Sequence, residues 1–284
     1  MKLAFIGLGR MGRELAAHII ADGSYDVTVW NRTPSKAASC VEQGARLTPT
    51  PADAVRDSDI VVTCLFGPQS VQEVVLDVDL PWLSDALWID VSTVGPAVAR
   101  QCAEWAAVRG ISYIHAPVLG SLGPAKAGEL GVLIGGSNAD ARATARQVSS
   151  LWADPTRIVE YDEAGKAAVG KLLVNYGLAV GMQGLVEACR IGEAGGLTPQ
   201  EAVALAQLPK TPLSVIASMK GGVLLTGDYT DTQFSANLLA KDVDLMFSTD
   251  DSDDLPALRA AQASLQRACQ AGHGEDDFSV MASR

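Results

Sequence analysis

The sequence is poor in the side chains from which metal centres and disulfide frameworks are built. It has three histidines, at positions 18, 115 and 273, and five cysteines, at 40, 64, 102, 189 and 269, with no CxxC pair. Scattered cysteines in an odd number indicate free thiols in a reducing compartment rather than disulfides or a zinc site. The acidic run TDDSDD at 249–254 lacks the glycine and the terminal glutamate of a calcium loop, so it predicts a solvated loop. Because GxSxG is missing as well, we expect neither metal catalysis nor serine-type hydrolysis.

Basic residues and long apolar runs are also scarce. The 284 residues carry 22 Lys and Arg against 33 Asp and Glu, and the net charge of −11 argues against a nucleic-acid or anionic membrane partner. The apolar run near the N-terminus is too short for the core of a signal peptide. The most apolar later stretch, 172–186, is interrupted by Asn175 and Gln183, so a buried helix explains it better than a membrane span of about 20 apolar residues. We therefore expect a cytoplasmic protein.

What the chain does have is a regular alternation of strand-like and helix-like segments up to about residue 160. Short β-branched runs occur at Leu3–Ile6, Val27–Trp30, Ile60–Leu65, Leu87–Asp90 and Val132–Ile134. They are separated by segments with helical spacing, at Arg10–Ile20, Pro34–Gln43 and Pro96–Arg109. This alternation predicts an α/β fold, with a doubly wound parallel sheet covered by helices on both faces.

The strand pattern ends near Glu163 and gives way to helices. A long Ala/Leu/Val pattern predicts one helix from Gly165 to about Ala194, and Gly195-Gly196 is its expected stop. Further helical segments follow, separated by prolines and glycines. We predict an α/β domain at 1–162 and a smaller all-α domain at 163–284 that includes the long connecting helix.

A glycine-rich turn, GLGRMG, follows the first strand at once and opens a helix. The first glycine allows the tight turn, the second lets the backbone approach a pyrophosphate, and the third lets helix and strand pack closely. The N-terminus of the helix then faces the phosphates. In this context the motif predicts a Rossmann-type dinucleotide site rather than a merely structural turn. The predicted contacts come from Gly7, Leu8, Gly9, Arg10, Met11 and Gly12.

The end of the second strand carries no acid. An Asp or Glu about 20 residues past the first glycine would bind the ribose 2′-hydroxyl of NAD, but here the strand ends in Asn31, Arg32 and Thr33. A carboxylate would repel a 2′-phosphate, whereas these side chains can hydrogen-bond it, and arginine suits planar phosphate contacts. The alternative is a helix cap at Thr33 beside a solvated arginine. The pattern favours NADP(H) as cofactor.

Two further loops follow predicted strands, where the ligand crevice of a parallel sheet lies. The stretch DVSTVGP places Ser92 and Thr93 ahead of a helix, so capping and ligand contact are both open for these hydroxyls. The stretch HAPVLGSLGP lets backbone N–H groups around Gly120 approach a ligand, and Ser121 adds a hydroxyl. A plain turn is the alternative for the second loop.

The long helix carries a lysine inside an otherwise apolar segment. Lys171 and Asn175 are four residues apart, so they lie on one face of that helix. A surface lysine whose stem covers apolar residues is the alternative to a functional group.

With these residues in place, the chain resembles the β-hydroxyacid dehydrogenase (3-hydroxyisobutyrate dehydrogenase-like) family, close to its glyoxylate/succinic semialdehyde reductase branch. The resemblance runs nearly end to end. It rests on GLGRMG, VTVWNRT, DVSTVGP, APVLGSLGPAKAGEL, GKAAVGKLLVN, Phe234 with Lys241-Asp242, and GHGEDDFSVM. It implies an NADP(H)-dependent oxidoreductase that interconverts a small aldehyde, 2-oxo or semialdehyde acid and its hydroxy acid.

The resemblance also implies roles for individual residues. Lys171 is the catalytic general acid, protonating the developing alkoxide as hydride reaches the carbonyl carbon. The implied substrate contacts are Ser92, Gly120, Ser121, Asn175, Phe234 and Asp242, and the further cofactor contacts are Leu65, Thr93 and Lys241. The long helix of the family commonly joins protomers, which implies a homodimer or homotetramer.

Three positions depart from the usual family pattern. Ala167 stands where a glycine precedes the catalytic lysine, Leu119 replaces a serine in the substrate loop, and His115 stands where an acid is frequent. Both loop changes bear on the identity of the substrate, and Leu119 hints at a less polar one. VTVWNRT also resembles the imine reductases, which usually replace the lysine. An imine reductase and a catalytically silent NADP(H)-binding sensor or scaffold therefore remain as alternatives.

Overall fold

The computed structural model describes residues 1–249 and 254–283. Most of the acidic run at 249–254, and with it the expectation of a solvated loop, lies outside the described residues. The chain divides into two compact units, Met1–Lys171 and Leu172–Arg284. The sequence places the boundary earlier, between 162 and 163, ahead of the long helix rather than within it.

The first unit is built on a sheet of nine described strands. They are β1 (Lys2–Ile6), β2 (Asp26–Trp30), β3 (Arg46–Leu47), β4 (Ile60–Thr63), β5 (Leu87–Asp90), β6 (Ser112–His115), β7 (Val118–Leu119), β8 (Leu130–Gly135) and β9 (Ala153–Tyr161). The order is β3-β2-β1-β4-β5-β6-β8-β7, with β9 paired to β8. The strands from β3 to β6 are parallel, which confirms the predicted Rossmann-type core.

The sheet departs from the parallel arrangement at one edge. Strand β8 runs antiparallel to both β6 and β7, and β9 runs parallel to β8. Only residues 120–129 join β7 to β8, whereas a parallel crossover usually needs a dozen residues or more. The chain therefore turns back on itself at this edge.

Helices cover both faces of the sheet. In this unit they are α1 (Arg10–Asp22), α2 (Ala38–Glu42, after a 3-10 turn at Pro34–Ala37), α3 (Pro51–Val55), α4 (Pro68–Val71, continuing as a π-helical turn at Gln72–Leu76), α5 (Pro96–Ala107), α6 (Leu122–Ala127) and α7 (Ala139–Ser149). Because successive side chains of a strand point to opposite faces, Leu3 and Phe5 of β1 join one buried cluster and Ala4 and Ile6 join the other. Two separate apolar cores confirm the doubly wound arrangement.

The second unit is helical throughout its described part, apart from an isolated bridge between Ser235 and Asp277. Its helices are most of α8 (Ala164–Ala194), then α9 (Pro199–Ala206), α10 (Ser214–Thr226), α11 (Ala236–Phe247) and α12 (Pro256–Ala268), followed by a π-helical turn at Cys269–His273 and a 3-10 turn at Phe278–Ala282. Helix α8 ends where the sequence predicts, because Gly196 adopts a φ of 100°. Among the described helices α8 passes a test of length and apolarity for crossing a membrane, which core helices of other proteins also pass.

Candidate functional site

The glycine turn has the geometry of an anion cradle. Gly7 has a φ of 102°, and a Cβ there would come 2.3 Å from the Cys64 carbonyl oxygen. A Cβ on Gly12 would come 2.0 Å from the Gly7 carbonyl oxygen, whereas one on Gly9 would face open space. Gly9 is also the N-cap of α1, with no side-chain capping bond and no acid in the first turn. The turn therefore fits the pyrophosphate of a dinucleotide, which the helix N-terminus would attract.

Asn31 connects this turn to the end of β2. The Leu8 N–H donates to Asn31 Oδ1 over 2.8 Å, and Asn31 Nδ2 donates to the Thr33 carbonyl over 2.9 Å. The side chain that the sequence assigns to the 2′-phosphate is thus engaged in shaping the loops themselves. Within residues 1–249 and 254–283 the exposed Arg32 guanidinium has no partner, and Thr33 makes no side-chain capping bond.

Polar side chains form a row across three neighbouring strands at their carboxyl ends. Thr63 of β4 pairs in register with Asp90 of β5, and Asp90 pairs with His115 of β6. All three are fully buried. The Thr63 hydroxyl donates to Asp90 Oδ1 over 2.7 Å and accepts from Trp88 Nε1 over 2.9 Å. His115, noted in the sequence as a departure in the substrate loop, is therefore a member of this buried row.

Tyr113 of β6 also contacts this row of side chains. Its hydroxyl lies 3.2 Å from Asp90 Oδ2 and 3.3 Å from His115 Nδ1. Burial, reinforced by the negative charge of Asp90, raises the pKa of Tyr113 well above its usual value. Tyr113 therefore stays protonated and donates to the carboxylate. Burial and the Asp90 charge also raise the pKa of Cys102 to about 12, which makes that thiol unreactive.

Ser92 ties two of the predicted ligand loops together. The Ser92 N–H donates to Asp90 Oδ1 over 3.1 Å, and the Ser92 hydroxyl oxygen accepts from the Leu65 N–H over 2.9 Å. Ser92 is only 2% exposed. Its main visible role is therefore to join the loop after β4 to the loop after β5, while Thr93 beside it is partly exposed and makes no side-chain cap of α5.

Lys171 reaches the predicted substrate loop. Its Nζ donates to the Val118 carbonyl over 2.8 Å, and the residue is 9% exposed. In that loop Gly120 has a φ of 136°, and a Cβ there would come 2.7 Å from Leu130. Ser121 follows as the N-cap of α6, without a side-chain capping bond. The reading of Lys171 as a surface lysine is wrong, because its side chain is buried against this loop.

The extra methyl of Ala167 is accommodated inside the first unit. Ala167 is fully buried, and a Cβ on Gly135 of β8 would come 2.7 Å from the Ala167 Cβ. The glycine on the strand thus leaves room for the alanine on the helix.

In the helical unit, Asn175 and Lys241 converge on one carboxylate. Asn175 Nδ2 donates to Asp242 Oδ2, and the Lys241 ammonium lies 2.9 Å from Asp242 Oδ1. Asn175 and Asp242 are almost completely buried. The structure therefore brings together three of the predicted helical-unit residues, whereas the fourth, Phe234, packs edge-to-face on Phe278 at 6.1 Å.

A second buried cluster in this unit was not singled out from the sequence. The Lys220 ammonium lies 2.8 Å from Asp277, and the two residues are 5% and 1% exposed. The same carboxylate accepts from the backbone N–H groups of Gln233 and Phe234, at 3.1 and 3.4 Å, and from Ser279. Asp277 thus fixes the segment that carries Phe234. A lysine within the apolar helix α10 was the signal that could have revealed it.

Within residues 1–249 and 254–283, no group of three or more His, Cys, Asp or Glu side chains is arranged to hold a metal ion. The five cysteines are free thiols, and three of them, Cys40, Cys102 and Cys189, are buried.

Two family profiles together match nearly the whole chain. Residues 2–156 match the NAD binding domain of 6-phosphogluconate dehydrogenase. Residues 165–284 match the family described as NAD-binding of NADP-dependent 3-hydroxyisobutyrate dehydrogenase.

Individual relatives agree with these matches. An NAD-dependent L-serine dehydrogenase of Pseudomonas aeruginosa is 31% identical over 294 residues, covering 99% of this chain and 96% of the relative. The solved structure of a Mycobacterium tuberculosis 3-hydroxyisobutyrate dehydrogenase with L-serine is 25% identical, with a TM-score of 0.85 and coverage of 99% and 97%. An imine reductase from Myxococcus stipitatus in complex with NADP+ shares the fold at 22% identity, with a TM-score of 0.67 and coverage of 99% and 98%.

Proposed function

The chain belongs to the β-hydroxyacid dehydrogenase family and is an NAD(P)-dependent oxidoreductase acting on CH–OH donors, and we propose that it works with NADP(H) on a small acid. In the reductive direction it converts an aldehyde, 2-oxo or semialdehyde acid to the hydroxy acid, as the glyoxylate/succinic semialdehyde reductases do. Lys171 is the general acid, and the general base in the reverse direction. The proposal rests above all on the burial of Lys171 against the Val118 carbonyl in the predicted substrate loop.

The choice of NADP(H) is supported by charge at the end of β2. Arg32 and Thr33 are exposed there beside the glycine turn, and no acid stands at the position that would hold a ribose 2′-hydroxyl. A guanidinium binds a phosphate through charge-assisted, bidentate bonds. One relative is named as NAD-dependent, and Arg32 is the residue whose replacement distinguishes the two cofactors.

Replacing Arg32 with alanine should weaken NADPH binding at least about tenfold while changing NADH binding by less than about twofold. The reason is that a charge-assisted bond to the 2′-phosphate contributes roughly 1.5–3 kcal/mol and NADH lacks that group. Dissociation constants from nicotinamide fluorescence titrations would measure both effects. Lys126, an exposed lysine in α6, supplies the control variant Lys126→Ala, which should change neither value. Equal losses of affinity for NADPH and NADH would show that Arg32 does not bind the 2′-phosphate.

The chemistry follows from which groups meet at the substrate loop. The bound nicotinamide supplies the hydride, and the Lys171 ammonium donates a proton to the oxygen on which negative charge develops. A positioned general acid contributes about 10²–10⁴-fold in rate, and its cationic charge stabilises the developing alkoxide. The Val118 carbonyl holds the lysine side chain in place. Asn175, one turn further along α8, is proposed to orient the substrate or the lysine.

The acid group of the substrate is assigned to the loop that follows β7. Backbone N–H groups around Gly120 and the Ser121 hydroxyl, which makes no capping bond, can hold a carboxylate. Leu119 removes one hydroxyl from the usual family loop. This favours a substrate with a less polar body between its carboxylate and its carbonyl.

The test is a panel of initial rates with NADPH and NADH in parallel. The carbonyl substrates are glyoxylate, succinic semialdehyde and other short aldehydes, with a cyclic imine as comparison. 3-Hydroxyisobutyrate and L-serine with NADP⁺ and NAD⁺ test the oxidative direction. We expect turnover of at least one carbonyl acid, with kcat/KM for NADPH at least about tenfold above NADH, the effect of one charge-assisted contact.

The other outcomes each point elsewhere. Turnover of the imine alone would favour the imine reductase alternative, which the VTVWNRT stretch and the shared fold support and the retained Lys171 opposes. Dinucleotide binding without any turnover would favour the sensor or scaffold. NADH ahead of NADPH would overturn the cofactor assignment while leaving the reaction class standing.

We also propose a cytoplasmic homodimer or homotetramer that binds neither nucleic acid nor membrane. Free thiols and the charge of −11 support this placement. Assembly is supported by large apolar side chains that are exposed on helices of the second unit. The most exposed of them are Leu173, Ile191 and Val215, each more than 70% exposed.

A further inference from the structure

We infer that Asp90 is a positioning residue for the dinucleotide: its buried carboxylate holds the loops after β4 and β5 in the arrangement that seats the glycine turn. The inference rests on the nicotinamide chemistry of the family and goes beyond it, because it assigns a role to a residue that the proposed reaction does not use. Asp90 opens the DVSTVGP stretch and is fully buried, so its side chain does not face a ligand directly.

The carboxylate receives bonds from both loops. Oδ1 accepts a hydrogen bond from the hydroxyl of Thr63, which is the last residue of β4. It also accepts one from the N–H of Ser92 in the loop after β5. Tyr113 donates to Oδ2 at 3.2 Å. Among the described residues the nearest basic nitrogen to Asp90 is His115 Nδ1, at 3.7 Å. The Asp90 carboxylate is therefore stabilised mainly by uncharged hydrogen-bond donors, and it fixes the orientation of each donor in turn.

The loop after β4, which Asp90 ties to the loop after β5, lies against the glycine turn. Ser92 accepts from the Leu65 N–H, which closes a ring from Asp90 through both loops. The Cys64 carbonyl oxygen and Leu65 Cδ2 lie 2.3 Å and 3.0 Å from the position that a Cβ on Gly7 would occupy. A shift of the Cys64–Leu65 segment would therefore move the floor of the phosphate cradle.

The expected consequence is pre-organisation. With Asp90 intact, the free protein already holds the cradle in shape, so binding does not have to order it. Without the carboxylate, part of the binding free energy would go into ordering the loops, and the dinucleotide would bind more weakly. Chemistry at Lys171 would be little affected once the dinucleotide is bound.

The experiment compares Asp90→Asn and Thr63→Val with wild type. The dinucleotide is whichever of NADPH and NADH the wild type binds more tightly, and its Kd is measured by isothermal titration calorimetry. Asn keeps an acceptor for Ser92 but loses the charge, and we expect its Kd to rise about tenfold, the effect of one charge-assisted bond. Thr63→Val removes a single donor and should raise Kd about threefold, the effect of one neutral hydrogen bond.

Ser58→Ala is the matched control. Ser58 is equally buried on the turn before β4, at the opposite end of the same strand, and its hydroxyl donates to the Ala54 carbonyl over 2.8 Å. Its loss should lower Tm, as a lost buried hydrogen bond does, and leave Kd unchanged. At saturating dinucleotide, kcat of the Asp90 variant should return to within about threefold of wild type on any substrate that wild type converts, because Asp90 makes no transition-state contact.

An unchanged Kd in the folded Asp90 and Thr63 variants would overturn the inference, as would an equal rise in Ser58→Ala, since either means a purely structural role. If Asp90→Asn does not fold, Thr63→Val decides alone. The binding assay needs no carbonyl turnover and no NADP preference. The proposed function can therefore fail while this inference stands, and this inference can fail while the proposed function stands.

Discussion

Lys171→Ala should lower kcat at least about a hundredfold, the lower end of what a positioned general acid contributes, while the Kd for NADPH changes less than about threefold. The proton donor would be lost, but the glycine turn and the end of β2 would be untouched. Steady-state rates on the best carbonyl substrate, together with a fluorescence titration of NADPH, would measure the two effects separately.

Two further variants sharpen this prediction. Lys166→Ala removes an exposed lysine of the same helix, one that pairs with Asp162 over 2.7 Å, and should leave turnover unchanged. Lys171→Met keeps the length of the side chain without its charge or proton, and should be as inactive as the alanine variant. Turnover retained in either Lys171 variant would remove this residue from the chemistry and revive the imine or sensor alternatives.

The second large effect concerns stability. Asp277→Ala should destabilise the protein by about 3–5 kcal/mol, because it leaves the buried Lys220 ammonium without its counter-charge. Lys220→Ala should lower the free energy of unfolding by a similar amount, because the Asp277 carboxylate would stay buried without its counter-charge. Unfolding in urea, followed by circular dichroism, would give both free energies.

A double variant tests whether this effect belongs to the pair. Lys220→Met with Asp277→Asn removes both charges and keeps an acceptor for the Gln233 and Phe234 N–H groups, so it should be more stable than Lys220→Met alone or Asp277→Asn alone. Asp162→Ala, which breaks the exposed ion pair with Lys166, should change the free energy of unfolding very little. Additive losses in the double variant would show that Lys220 and Asp277 do not stabilise the unit as a pair.

Acid should weaken the same cluster. Burial would raise the pKa of Asp277, but the hydrogen bonds from Lys220 and Ser279 outweigh it and hold the pKa below the usual aspartate value. The stabilisation is therefore complete above the usual aspartate range and is lost as the pH falls toward the lowered pKa. Asp277→Asn should lose less stability than wild type between neutral and acidic pH.

The core of the fold could be predicted because its elements are strongly patterned. All five β-branched runs are strands of the sheet, and the long helix ends at its glycine pair. Strand β9 was missed because it includes Pro155 and mixes polar and apolar side chains without alternation. The two-residue strands β3 and β7 are too short to carry a pattern.

The sequence could suggest candidate site residues only where a motif is local. The glycine turn, the loop at Gly120 and Lys171 could be found because each is defined by a few neighbouring residues. The row of Thr63 and Asp90 spans 27 positions and exists only through the register of β4 and β5. The same limit hid the role of Asn31 in shaping the glycine turn, because Leu8, whose N–H donates to the Asn31 side chain, lies 23 positions away in the sequence.

Lys171 and Lys220 show what sequence can and cannot separate. Both are lysines in apolar helices, and only the first was singled out. In the structure Lys220 faces a buried carboxylate, whereas Lys171 is bonded to a backbone carbonyl in a loop suited to a ligand. Pattern alone identifies an unusual lysine, and its partners decide between a structural and a chemical role.

The passage of α8 through the boundary between the two units matters for how this chain could be recombined with its relatives. Ala164 and Ala168 belong to a core of the first unit, whereas the buried apolar side chains of α8 from Leu172 onward belong to the core of the second. A chimera joined in the loop near residue 162 would therefore give the sheet a foreign set of helix side chains, including the one that must fit Gly135. A crossover between Lys171 and Leu172, although it falls inside a helix, keeps each core with the side chains that evolved to fill it.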